Sequence, residues 1–117
     1  MDLITAEELN KNYDKYKRKF VHIEGYYLDG RLFDNDKNLS VLSSETDYLS
    51  IQYTLKKLKK TDYEGMMRIV GMPYAIASTR KNISYVVKME LFDKDGNITN
   101  TFTNNKIQLP KELEGKL

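Results

Sequence analysis

Apolar and polar residues alternate with a period of two over several stretches, and each predicts a strand. The clearest is residues 83–92, where Ile83, Tyr85, Val87, Met89 and Leu91 alternate with Ser84, Val86, Lys88, Glu90 and Phe92. Residues 19–31 form a β-branched, aromatic-rich run with Gly25 in its middle and a turn signal, Asp29 and Gly30, at its end. Residues 66–72 repeat the device, with Gly71 following an alternating run. Glycine inside a strand marks a bulge, a bend or a close backbone approach. Residues 39–43 and 48–55 also read as strands; in the second, Leu49, Ile51, Tyr53 and Leu55 alternate with Tyr48, Ser50, Gln52 and Thr54. After a strong turn at residues 93–97, residues 98–103 predict a short edge strand. Two bent strands in a chain of 117 residues predict a mainly β fold, a five-stranded barrel over about residues 19–92 with an extra hairpin in a C-terminal extension, 93–117.

The period changes near the start. Thr5 and Glu8 have the spacing of a capping box, and Ile4 and Leu9 that of a hydrophobic staple. Leu9, Tyr13 and Tyr16 share a face, which predicts a helix over about 6–17 lying on the barrel. Lys15, Lys17, Arg18 and Lys19 follow at its negative end. The lysine-rich connection at 56–60 reads as one helical turn or a solvated loop.

The length supports one domain, 1–117, with a single core. Hydrophobic residues make up 40% and charged residues 31%, so a compact core sits under a heavily solvated exterior. The net charge of +2 supplies no global field for a nucleic acid or a membrane, and such a partner has to meet a local patch. With no cysteine, disulfides, thiolate metal sites and cysteine nucleophiles are excluded, and one histidine excludes His-rich metal sites. No apolar run reaches the roughly 20 residues of a membrane span, and the start lacks an apolar h-region. A soluble, cytoplasmic protein is expected. The sequons at Asn38, Asn82 and Asn97 then reflect an asparagine-rich composition.

Four segments carry a resemblance: Ile4-Thr-Ala-Glu-Glu-Leu9, Tyr16-Lys-Arg-Lys-Phe-Val-His-Ile-Glu-Gly25, Leu55-Lys-Lys-Leu-Lys-Lys60 and Met67-Arg-Ile-Val-Gly71. The chain from about residue 4 to 92 resembles the OB-fold, a Greek-key barrel, and within it the small bacterial tRNA-anticodon-like OB domains. It departs from them in a longer first loop and in the hairpin after Phe92. The resemblance implies binding of single-stranded DNA or RNA, with little sequence preference, across the second and third barrel strands. Such binding needs cations for phosphates and aromatic faces for unpaired bases. On this reading Arg31, Phe33 and Lys37 form one rim and Arg80 and Lys81 the other; Tyr48 stacks, Gln52 lies beside it, and Lys88 projects from a neighbouring strand. The size suits an accessory binder of a phage or mobile element.

Other chemistry has less to build on. Asp29, Asp34 and Asp36 share the first loop with Arg31 and repel phosphate. Asp34, Asp36, Asn38 and Glu45 have calcium-loop spacing, but Leu39 stands where glycine is required. His22, between Val21 and Ile23 and on the opposite face, reads as a surface or packing residue. No nucleophile elbow or phosphate-binding glycine loop occurs. No catalytic residue, metal or cofactor is expected. The competing reading is a non-enzymatic interaction module that oligomerises through a strand edge or the C-terminal extension.

Overall fold

The computed structural model describes residues 1–34, 50–74 and 81–116. It is mainly β, built on a six-stranded mixed sheet. Strand β1 (Leu3–Thr5) leads into helix α1 (Ala6–Lys11) and the single turn α2 (Tyr13–Tyr16). Strands β2 (Val21–Leu28) and β3 (Arg31–Phe33) form a hairpin, followed by α3 (Ile51–Lys57), β4 (Gly65–Pro73), β5 (Ile83–Phe92) and β6 (Ile98–Thr103). From β2 through β4 and β5 to β6 every pairing is antiparallel. The other edge of β2 is shared: β1 pairs in parallel with its first half and β3 antiparallel with its second. Among the described residues the sheet is open, ending at β6; the strand expected at 39–43 lies outside them.

One face of the sheet is buried. Val21, Ile23 and Tyr27 of β2 join Met67 and Ile69 of β4 and Met89 and Leu91 of β5, and Leu9, Tyr13, Ile51 and Leu55 close the core from the helices. His22, Glu24 and Tyr26 alternate with the buried set, as the period of two requires. Gly25 is a close approach: a Cβ there would meet Leu32 Cγ at 2.7 Å and the Phe33 carbonyl at 2.9 Å. β3 lies down on β2 only because that side chain is missing. At Gly71 the partner strand bulges, Tyr85, Val86 and Val87 standing against this one residue.

The helical start differs in detail from its expectation. Thr5 Oγ1 accepts from the Glu8 backbone N–H at 3.1 Å, one half of the capping box. The Glu8 carboxylate does not complete it, accepting instead from the Asn12 amide (3.0 Å) and the Tyr16 hydroxyl (2.6 Å). Asn12 leaves helical geometry (φ −124°, ψ 38°), so the expected 6–17 helix is two pieces. The three residues before it add β1, which a run this short does not announce.

Over its described residues, from Ser50 on, the expected 48–55 strand is overturned: residues 51–57 are helix α3. Ser50 caps it, its Oγ accepting from the Tyr53 N–H at 3.1 Å. Ile51, Thr54 and Leu55 bury one face at spacings of three and four, and Lys56 and Lys57 sit at the negative end of the dipole. Gln52 therefore stands on a helix, not on a ligand-binding strand.

Candidate functional site

The β2–β3 turn and α3 face each other across a cleft. Asp29 (φ 49°) and Gly30 (φ 79°) both take the left-handed conformation of a two-residue hairpin turn. That turn sends β3 back along β2 and sets Arg31 and Phe33 on the rim. Gln52, Tyr53 and Lys56 of α3 line the opposite wall, and Asp62, Tyr63 and Glu64 the floor before β4. Buried Tyr27 also lines the cleft, and burial raises the pKa of its hydroxyl. Tyr63 fixes the floor: its hydroxyl lies 2.5 Å from the Met66 carbonyl and 2.9 Å from that of Phe92 and accepts from the Phe92 N–H at 3.3 Å. The Tyr26 hydroxyl donates to Glu64 at 2.8 Å. Arg31 and Lys56 bring positive charge, and Asp29, Asp62 and Glu64 negative. Tyr53 carries the Lys57 ammonium 5.2 Å over its ring.

Three expected contact residues, Arg31, Phe33 and Gln52, therefore meet at one cleft. Lys81 does not join them; its ammonium donates to the Asn10 carbonyl (2.7 Å) and side-chain oxygen (3.1 Å). Lys88 is half-buried in the middle of β5, opposite Val70 and Thr103. Lys37, Tyr48 and Arg80 lie outside the described residues, as do Asp36, Asn38 and Glu45 of the calcium-like spacing. Tyr53 and Lys56 were missed because their segment was read as strand and connection. The Ser50 cap and the buried three-and-four spacing were the signal that could have found them.

On the sheet face away from the core, Arg68 Nε donates to Glu24 at 3.0 Å, and its guanidinium sits 4.9 Å over the Phe92 ring. His22 lies on the same face, and burial lowers its pKa, opposed by Glu90 and reinforced by Arg68 and Lys88. Among the described residues no group of three His, Cys, Asp or Glu could hold a metal ion, and no helix is long and apolar enough to cross a membrane. The chain matches no family model, no curated protein and no solved structure.

Proposed function

We propose that the chain is an OB-type barrel that binds single-stranded nucleic acid through the cleft between the β2–β3 turn and α3. The observation that carries this reading is the convergence of Arg31, Phe33, Tyr53 and Lys56, cations and aromatic rings in one cleft. Cations meet phosphates, and rings accept unpaired bases without regard to sequence, each stacked base contributing about 1–3 kcal/mol. The barrel itself is supported by β2 pairing with β3 along one edge and β4 along the other. It is also supported by a helix, α3, before β4, where a five-stranded barrel carries its cap. Asp29, Asp62 and Glu64 keep the cleft from being a general polyanion trap, which favours stacking over charge as the main source of affinity.

Fluorescence anisotropy of labelled oligo-dT and oligo-U at low and moderate salt, with duplex DNA as control, tests the reading. Single strands should bind more tightly than duplex, and Phe33→Ala should weaken them. Equal affinity for duplex would reject stacking, and no binding at low salt would reject the function.

A second reading rests on β6. This six-residue strand carries no charged side chain, forms an edge of the sheet among the described residues, and exposes 52% of Ile98. Uncharged edges invite strand addition. Self-association that persists as salt rises would favour this interaction module.

A further inference from the structure

Tyr85 is held at φ 52°, a conformation that is costly for a bulky aromatic residue. The β5 bulge requires a left-handed residue there, but asparagine or glycine would supply it with less strain. Nor does burial account for the tyrosine, which is only half-buried while its neighbours Val86 and Val87 are fully buried. What the strained backbone achieves is placement. The Tyr85 ring meets Tyr74 edge-on, 6.1 Å between centroids at 62°. The guanidinium of Arg18 lies 6.0 Å over the Tyr74 ring. Arg18 is itself left-handed (φ 65°), with its backbone N–H donating to the Pro73 carbonyl at 2.9 Å.

Two strained residues, from the α2–β2 turn and from β5, thus bring their side chains onto Tyr74 just after β4. The base of the stack is fixed, because the Tyr74 N–H donates to the Asn82 carbonyl (3.2 Å), as does the Tyr13 hydroxyl (2.8 Å). Lys17 and Lys19 flank Arg18, and both are exposed. The balance of charge is more positive here than in the cleft. Costly backbone that survives at a half-open surface points to function.

We infer that Arg18, Tyr74 and Tyr85 form a second contact for the same single strand, with the rings stacking a base and Arg18 meeting the adjoining phosphate. This inference rests on the nucleic-acid reading of the cleft. The two contacts sit at opposite ends of the β2–β4 ladder, where Val21 faces Gly71 at one end and Tyr27 faces Gly65 at the other. The seven steps along the eight residues of β2 set them about 23 Å apart at about 3.3 Å per residue. One strand of about 16 nucleotides, the upper end of the site sizes known for such barrels, is a suitable probe.

Tyr85→Asn separates function from folding, because asparagine accepts the left-handed backbone that tyrosine resists. Arg18→Asn does the same at the other strained position. Both variants, with Phe33→Ala, are titrated by anisotropy against labelled 16-nucleotide oligo-dT at low salt, and their melting temperatures are recorded. Tyr85→Asn should bind about 5- to 150-fold more weakly while melting no lower than the parent, and Arg18→Asn should also weaken. Loss in Tyr85→Asn with none in Phe33→Ala would uphold the stack and remove the cleft. Unchanged affinity in both stack variants, with Phe33→Ala weakened, would overturn the stack and leave the cleft standing. Absence of binding by the parent chain would overturn both.

Discussion

A methyl group added at Gly25 would sit 2.7 Å from Leu32 Cγ and 2.9 Å from both Leu32 Cδ1 and the Phe33 carbonyl. Leu32 is fully buried and the carbonyl belongs to β3, so neither can move aside without lifting the strand. Gly25→Ala should therefore cost about 1–3 kcal/mol, the range for overpacking, and lower the melting temperature by several degrees in calorimetry. An unchanged melting point would mean that β3 is not seated on β2 as described. His22 supports a second prediction of this kind. Burial on the sheet depresses its pKa, so the folded state prefers the neutral ring, whereas the unfolded chain takes up its proton near pH 6.5. Below that pH the unfolded state binds more protons, and stability falls as the solution becomes more acidic. His22→Gln should flatten the fall in melting temperature between about pH 7.5 and 5.5. Equal slopes in the two proteins would show that the imidazole does not carry the effect.

Among the elements, α3 decides how the cleft is built. Residues 49–58 satisfy two periods at once: Leu49, Ile51, Tyr53 and Leu55 alternate like a strand, while Ile51, Thr54, Leu55 and Leu58 fit a helix. The Ser50 cap and the Lys56–Lys57 terminus favour the helix, and packing on β5 secures it. Ser50→Ala should lower stability by about 0.5–2 kcal/mol in chemical denaturation. It should also speed amide exchange at Tyr53, whose N–H Ser50 holds; unaltered exchange there would deny the cap its role. The strands were legible where the pattern had one solution, as in β2, β4, β5 and β6; of the two glycines expected to bend strands into a barrel, Gly25 marks a close approach and Gly71 faces a bulge in β5, in a sheet that is open among the described residues. Tyr85 was legible only as one more member of an alternating run. The extra residues that swing it onto Tyr74 are set by the opposing strand, and no local pattern records that. Arg31 and Phe33, expected on the polar loop after the first strand, instead stand on the short strand β3, which the Asp29–Gly30 turn folds back along β2. Gln52 was found on the wrong element, and Lys81 and Lys88 stand apart from the cleft because sequence distance says little about which end of a ladder a side chain occupies.

At the scale of the whole molecule, a net charge of +2 on 117 residues makes affinity for a polyanion a matter of local geometry. Counterion release reads that geometry directly, since log K falls with log salt by about 0.7 for each phosphate neutralised on a single strand. If Arg31 and Lys56 act alone, the slope for oligo-dT should be about −1.4. If Arg18 and one flanking lysine engage as well, four phosphates give about −2.8. Arg31→Ala should then reduce the slope by about 0.7 and weaken oligo-dT and oligo-U alike, because a phosphate contact carries no base information. Phe33→Ala should weaken binding and leave the slope unchanged, since a ring releases no counterion. The two variants thus separate charge from stacking in one titration series. A parent slope near zero would mean that binding does not run through phosphates. Self-association through the uncharged β6 edge would then be the better account of the chain.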